Sequence, residues 1–472
     1  ADVSDMDLFG TAGIRGGVAD RVTPSLALAV GRAVGAEIRS RADETGGGSA
    51  AEPTPEPTVV LARDGRVTGP ALAAAMEAGL SAGGVAVRRA GKLPTPALAH
   101  ASRGRYGVML TASHNPPTDN GIKLFRDGVE FDRDAERAVE SRVADEEPVA
   151  PWDEWTEATR TDPLGDYLTD VREYAAGFGA PLDGLRVAID CGNGMSAPAT
   201  PTVLRELGAD VVTLNGNVDG HFPGRGSKPT AETLADLRAF VADANEGIEN
   251  PGRPSGDGSE GDGGEAPREA DGFAFGIGHD GDADRIVIVD ADGEVVHEDT
   301  VLAVLAERYT RASDAADPVV VTTPNASGRI DERVRDAGGR VERVRLGALH
   351  EGIAAVRAEA SDAGALGEAG AVGEAGAAGE VGADTRVVFA AEPWKHIHVG
   401  FGGWIDGVAS AAVLSRLLAE AGGLGALVEP VQERPYRKDE VGCPEGRKAE
   451  AMAALESALP RALPDANVDT EH

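Results

Sequence analysis

Short apolar runs alternate along this chain with Ala- and Leu-rich stretches. "TVVLARD", "GVAVRRAG" and "YGVMLTAS" carry the β-branched and aliphatic clustering of buried strands, and "GPALAAAMEAGLSAGG" between them has helical composition. The cycle restarts at "GLRVAIDCGNG", with a helix predicted over "TPTVLRELGA" and a strand over "DVVTLNG". It restarts again near "DPVVVTTPNASGRIDERVRDAGG", followed later by "TRVVFAAEP". Strand, helix, strand at this spacing predicts βαβ units and mixed, largely parallel sheets, the α/β class. Ligands bind such sheets at the carboxyl ends of the strands. A last segment from about Val428 starts a new unit and reaches His472 with little beyond one helix, "EGRKAEAMAALESALPRAL". At 472 residues the chain is too long for one core, and three or four domains are expected.

Three polar stretches interrupt the pattern, at about 42–57, 249–270 and 360–384. Their Gly, Ala, Glu and Pro cannot bury enough apolar surface to offset the entropy of ordering, so all three are expected to be surface insertions.

Charge narrows the possible partners. The formal net charge of −34 argues against nucleic acid and against anionic membranes. No apolar run approaches the roughly 18–20 residues that span a bilayer. The first residues, "ADVSDMDLFG", lack the basic and apolar regions of a signal peptide, and a cytoplasmic location is expected. Two cysteines, Cys191 and Cys443, are too few for a disulfide scaffold or a Cys-based metal site. Surplus carboxylates and only six lysines among 45 basic residues suit strong salt, where screening removes self-repulsion, as in a halophile. In a chain so poor in lysine, Lys92, Lys123, Lys228 and Lys395, all in Gly/Pro-rich loops, are worth locating, Lys123 above all.

Four loops carry candidate chemistry. "FGTAGIRGG" joins flexible glycines to Arg15, whose guanidinium suits phosphate. "TASHNPPTDNGIKLF" follows a buried strand and presents Ser113, His114 and Lys123. Pro116 and Pro117 are expected to hold its preceding residues extended, and Asn120-Gly121 to mark a turn. A serine beside cations is a candidate phosphate acceptor, and without a GxSxG elbow acyl-transfer chemistry is disfavoured. "HDGDADRIVIVD" alternates Asp280, Asp282 and Asp284, which in an extended loop face one side; a hard cation such as Mg²⁺ would relieve their repulsion. An EF-hand is excluded, because Arg285 and Ala291 stand where Gly and Glu are required. "AAEPWKHIHVGFGGWIDG" offers Glu392, Lys395 and His396 near a strand end, with Trp394 either stacking on a sugar or packing in the core. His398 and Trp404 are read as structural.

Together, "FGTAGIRG", "GKLPTP", "TASHNP…NGIK" and "DGDADR", in that order, resemble the α-D-phosphohexomutase family of phosphoglucomutases, phosphomannomutases and phosphoglucosamine mutases. The resemblance implies four domains around a central cleft. They are a phosphoserine-loop domain at 1–150, a metal-loop domain at 165–295, a sugar-loop domain at 296–425 and the beginning of a truncated C-terminal phosphate-binding domain at 428–472. It implies a phosphoserine at Ser113, whose phosphate completes a Mg²⁺ site on Asp280, Asp282 and Asp284. It places His114, Lys123, Arg15 and Arg285 around the transferring phosphoryl group, with Lys123 as acid/base partner, and Glu392, Trp394, Lys395 and His396 on the sugar. The reaction it implies interconverts a sugar 1-phosphate and its distal phosphate, with a sugar 1,6-bisphosphate as activator, in a monomer or homodimer. Two departures stand out. The family's sugar loop reads Gly-Glu-x-Ser-Gly-His, whereas "AEPWKHI" keeps Glu392 and His396 but places Trp394-Lys395 between them, pointing to a different hexose, an aminosugar or a pentose. The family's Arg-Pro-Ser-Gly-Thr-Glu-Pro clamp has no counterpart after Glu429. A non-catalytic sugar-phosphate binding protein is the alternative; a phosphatase using "DGDAD" is disfavoured, since Asp284 stands where Thr or Val is expected.

Overall fold

The computed structural model of the chain describes residues 8–10, 13–45, 57–249, 272–368, 384–431, 441–443 and 447–464. The described chain is built around three mixed sheets. The first contains β1 (Ile14–Gly17), β2 (Thr58–Arg63), β3 (Ala86–Lys92), β4 (Tyr106–Leu110), β5 (Asp119–Arg126), β6 (Val129–Glu130) and β7 (Thr159–Arg160). Its order is β1-β5-β4-β2-β3-β7, with β6 paired to β5. The second, ordered β11-β10-β8-β9, contains β8 (Arg186–Asp190), β9 (Asp210–Leu214), β10 (Phe275–His279) and β11 (Ile286–Val289). The third, ordered β13-β12-β14-β15, contains β12 (Asp317–Thr322), β13 (Arg340–Arg343), β14 (Thr385–Glu392) and β15 (Lys395–Ile397).

One device recurs in all three. A parallel core, β4-β2-β3, β10-β8-β9 or β14-β12-β13, is flanked by a strand that doubles back antiparallel: β5 on β4, β11 on β10, β15 on β14. The chain reverses at the carboxyl end of a central strand each time, and each reversal carries one of the loops singled out above. Buried strands such as Tyr106–Leu110 and Phe275–His279 are covered on both faces, which explains their unbroken apolar runs.

Local structure departs from expectation at four places. Residues 42–45 complete the helix Pro24–Thr45 and residues 360–368 complete the helix Leu349–Glu368, because Ala- and Glu-rich sequence adjoining a formed helix propagates it. Residues 46–56 and 369–383 of those two stretches, and 250–270 of the third, lie outside the described residues. Asn120-Gly121 is strand, not turn: both belong to β5 and pair with Gly16 and Arg15 of β1. A Cβ on Gly121 would meet Thr111 O at 2.4 Å and Ile14 O at 2.6 Å, so the glycine serves close packing of three chain segments. "GIRGG" is likewise strand, formed by that pairing. After Val428, the described residues form one helix, Lys448–Ala462, with no strand among them.

The helix Gly407–Ala421 ties the third sheet to the second. Asp406 caps it by accepting from Ala409 N (2.8 Å), and also accepts from Tyr167 OH (2.8 Å) and Trp404 Nε1 (2.9 Å). Beside this cap, Tyr309 stacks on Phe389 with ring centroids 5.0 Å apart. His398 Nδ1 lies 2.6 Å from Tyr309 OH and its Nε2 lies 2.8 Å from Ser410 Oγ. The Ser410 hydroxyl donates to Asp406 O, so His398 donates from Nε2 and accepts at Nδ1 as a neutral ring. His398 and Trp404 are therefore structural, as expected.

Burial, followed by the nearby His396, pushes His398 down to about 3. The unfolded state therefore binds the extra proton between pH 6.5 and 3, and this group's contribution to stability is lost as pH falls through that window. His398→Gln, which keeps a donor and an acceptor but cannot titrate, should narrow its stability deficit against the wild type by about 2 kcal/mol between pH 7 and pH 5. Urea unfolding at the two pH values checks this.

Candidate active site

The reversals of the first two sheets face each other. Ser113 sits in the loop after β4 with a left-handed backbone, φ 49°, in a turn closed by Asn115 N donating to Ala112 O (3.0 Å). It is not held extended by the prolines. The turn is imposed by Arg66, a fully buried guanidinium at the centre of the loop. Arg66 donates to the carbonyls of Ser113 (2.9 Å), Asn115 (2.8 Å), Pro116 (2.5 Å) and Asp119 (2.9 Å), and pairs through Nε with Asp64 at 3.0 Å. Asp64 also accepts from Thr111 Oγ1 at 2.8 Å, so one buried ion pair gathers both ends of the loop.

The acidic loop between β10 and β11 is a tight turn rather than an extended segment. Ala283 has φ 65°, and a Cβ on Gly281 would lie 2.6 Å from Ser113 O. The glycine therefore lets the two loops touch backbone to backbone. Asp280, Asp282 and Asp284 are buried, with one ligand atom from each lying within 4.8 Å of the others. Asp280 Oδ2 accepts from Ser113 Oγ at 2.6 Å. Asp282 Oδ2 accepts from Thr95 Oγ1 at 2.6 Å, and Asp284 Oδ2 accepts from Lys123 Nζ at 3.0 Å. Asp282 Oδ1 and Asp284 Oδ1, both buried, have no hydrogen-bond partner. Three converging carboxylates with two unsatisfied anionic oxygens fit a hard divalent cation of the Mg²⁺ type.

The electrostatics divide the acids. Burial, with Asp284 and Asp282 adding to it, drives Asp280 well above the carboxylate range. Burial also opposes ionisation of Asp284, yet Lys123, Arg285 and Lys395 outweigh it and hold that carboxyl well below its usual value. Burial works against the charge on Lys123, but Glu130 at 3.3 Å and Asp284 outweigh it and raise it above the usual lysine value, so it is an ammonium. His114 is pushed down to about 3 by burial, then by Arg285 and Arg15, and is neutral. Arg285 Nε stands 3.9 Å from Asp280 and 3.8 Å from Asp284, over the acidic turn.

The third sheet closes the site. Arg15, Lys123, Asp284, Arg285, Glu392 and Lys395 line one enclosed pocket of about 40 Å³. Glu130, Gly347 and His350 are common to it and to a wider groove of about 390 Å³, and together they give space on the scale of a small polar ligand. Glu392 accepts from Gly347 N (2.6 Å) and from Lys395 Nζ (2.9 Å).

Two residues expected on the sugar lie elsewhere. Glu392 and Lys395 are register partners across β14 and β15, whereas His396 pairs with Ala391. Successive strand residues face opposite sides, so Lys395 reaches the pocket while His396 points into the core. There its Nδ1 lies 3.0 Å from Ser410 Oγ, and burial pushes it down to about 3. Trp394, with φ 65°, takes the turn position; its side chain packs against the hydrophobic clusters of the second and third sheets and its carbonyl accepts from Ile286 N. Sequence reasoning missed Arg66, although "ARDGR" places it two residues after an acid in a strand-end loop. Thr95 lies in "GKLPTP", and nothing in its own neighbourhood marks it as a partner of Asp282, to whose backbone oxygen its N–H also donates at 3.0 Å.

The fold is of the α/β class, and a serine hydrogen-bonded to a buried acidic triad, with lysine and arginine around it where three sheets meet, has the groups that phosphoryl transfer to a small polar substrate requires. Comparison with known proteins gives the particular family. The phosphoglucomutase/phosphomannomutase alpha/beta/alpha domain I matches residues 6–150 and domain II matches residues 166–293. The phosphopentomutase of Thermococcus kodakarensis is 36% identical over 462 residues, 97% of this chain and 85% of that protein. A probable phosphoglucosamine mutase of Methanopyrus kandleri is 36% identical over 471 residues, 98% of this chain and 87% of that protein. The crystal structure of a phosphoglucomutase/phosphomannomutase family protein from Burkholderia thailandensis superposes with TM-score 0.68 at 24% identity, covering 90% of this chain and 80% of that one. The chain belongs to the α-D-phosphohexomutase family and is a phosphosugar mutase.

Arg66→Met should leave Asp64 buried without its partner and cost about 3–5 kcal/mol of stability. The released Ser113 loop should also lower turnover by about a hundredfold in the fraction that folds. Denaturant unfolding and active-fraction kinetics measure the two effects.

Proposed function

We propose that this mutase interconverts a sugar 1-phosphate and the corresponding distal phosphate through a phosphorylated Ser113 and a sugar bisphosphate. The observation that carries the reading is the 2.6 Å hydrogen bond from Ser113 Oγ to Asp280, which puts the acceptor hydroxyl on the rim of the acidic triad. In the forward half-reaction the bond from phosphorus to Ser113 Oγ breaks as a bond forms to a sugar hydroxyl. After the bisphosphate turns over in the pocket, the other phosphoryl group returns to Ser113. Bound at Asp280, Asp282 and Asp284, Mg²⁺ supplies charge neutralisation for the phosphoryl oxygens. Arg15, Arg285 and Lys123 add fixed positive charge around the same point, and catalysis is positioning plus electrostatics, as expected for phosphoryl transfer.

The protonation states suit this division of labour. The proton that the attacking hydroxyl gives up is balanced by the one Ser113 Oγ takes up as it leaves, while Lys123, held as an ammonium by Glu130 and Asp284, keeps its charge beside the triad throughout. Neutral His114, with Nδ1 3.4 Å from Ser113 Oγ, stands beside the same oxygen as a hydrogen-bonding group rather than a charge. A trace of sugar 1,6-bisphosphate primes the serine.

The test is ³¹P NMR of the protein with Mg²⁺ and a trace of bisphosphate, offering glucose, mannose, glucosamine and ribose 1-phosphates in turn. Movement of the signal to the distal position without inorganic phosphate is the expected result. Ser113→Ala should abolish it while leaving sugar-phosphate binding measurable; retained interconversion in that variant would overturn the mechanism. Chelation should stop transfer and added Mg²⁺ should restore it, and Asp282→Asn should weaken Mg²⁺ binding by calorimetry at least tenfold.

A further inference from the structure

We propose that Glu130 is a positioning residue that gives the Lys123 ammonium a second seat, taken up when a divalent cation occupies Asp284, and that the triad binds the cation less tightly without it. The inference rests on the reading that Asp280, Asp282 and Asp284 hold the cation, and goes beyond it by assigning a role to an acid outside the triad. Lys123 Nζ is shared between two carboxylates, at 3.0 Å from Asp284 Oδ2 and 3.3 Å from Glu130 Oε1. Asp284 comes from the second sheet, whereas Glu130 is carried by the same hairpin as Lys123. The two-residue turn Asp127-Gly128, with φ 52° and 80°, folds β6 back on β5 and sets Glu130 opposite Phe125. Phe125 and Lys123 stand two residues apart on β5 and share a face, so Glu130 is a diagonal neighbour of Lys123 fixed by local pairing alone.

The two seats differ in what else they must serve. Lys123 Nζ donates to Asp284 Oδ2, one oxygen of a carboxylate whose other oxygen is buried and without a partner. A dication on Asp284 competes with the ammonium for the same carboxylate and repels it across a site shielded from water. A buried ammonium has only donors, so it answers that repulsion by leaning on another anion. Among the acids lining the pocket, Glu392 is already paired with Lys395 Nζ at 2.9 Å, which leaves Glu130. The exchange needs only a small swing of Nζ, because both oxygens already stand within 3.3 Å of it. Glu130 thereby frees Asp284 for the cation while keeping the Lys123 charge in place.

Crystal structures of the full chain without and with saturating Mg²⁺ test the exchange directly. Nζ should lie nearer Asp284 in the ion-free crystal and nearer Glu130 once Mg²⁺ is bound; an order that does not invert would overturn the proposal. Calorimetric titration of Mg²⁺, at fixed ionic strength and neutral pH, reads the energetic side. Glu130→Gln, which keeps the shape and removes the charge, should weaken Mg²⁺ binding by about tenfold, the scale of one charge-assisted hydrogen bond. In Lys123→Met there is no ammonium to reseat, and adding Glu130→Gln should change Mg²⁺ affinity by less than about twofold. A loss that persists undiminished in Lys123→Met would show Glu130 acting only as one more negative charge near the cation, and would sink the idea. So would a Glu130→Gln variant that binds Mg²⁺ as tightly as the wild type. Either result, with the wild type binding Mg²⁺, leaves the triad reading standing; failure of the wild type to bind Mg²⁺ at all removes that reading and this inference together.

Discussion

Three buried carboxylates at one point are the constraint around which the described structure is organised. Asp280, Asp282 and Asp284 repel one another in a site stripped of water, and each is met by a partner from the first sheet: Ser113, Thr95 and Lys123. These contacts span 161 to 187 residues of sequence, so satisfying the acids also docks the first sheet against the second. Partial satisfaction is the functional feature. Two acid oxygens remain without donors, and that residual negative charge is what suits the site to a hard cation.

The same economy governs the loops. Each sheet turns back antiparallel at the end of a central parallel strand, and that reversal presents polar side chains at the sheet edge. Rigid strands on both sides hold the loops, which suits a reaction whose catalysis is mostly placement. Arg66 completes the arrangement on the first sheet by satisfying four carbonyls that a tight turn would otherwise bury unpaired. Arg225 plays a related part beneath the acidic loop, pairing with Asp190 at 2.8 Å and donating to His279 O at 2.5 Å. Arginine suits both positions because its planar fork satisfies several carbonyls at once while remaining charged.

The third sheet shows how a one-residue alternation changes a site. Glu392 and Lys395 face the pocket as a cross-strand pair, while His396 joins a core of Phe389, Ser410 and His398. The histidine is lost to the cleft, and Lys395 takes the pocket-facing position instead. The pocket therefore carries four cationic side chains from three sheets, Arg15, Lys123, Arg285 and Lys395, balanced by acids from all three.

By itself the sequence determined what depends on local chemistry. The alternation of strand and helix, the family membership carried by "TASHNP" and "DGDADR", and the convergence of the three aspartates were all legible, because strand periodicity and motif spacing are short-range properties. Tertiary structure decided whatever depends on which face a residue takes or which distant segment it meets. Asn120-Gly121 has the composition of a turn but became strand, because β1 and the end of β4 both approach within reach of Gly121. His396 stands at substrate-loop spacing but packs inward, because β15 pairs with β14 in a register that turns Lys395 outward, and half-buried Trp394 takes the turn between the strands. Arg66 could not be assigned from its own neighbourhood, since four of its five partners lie about fifty residues away and acquire meaning only when the Ser113 loop folds over it.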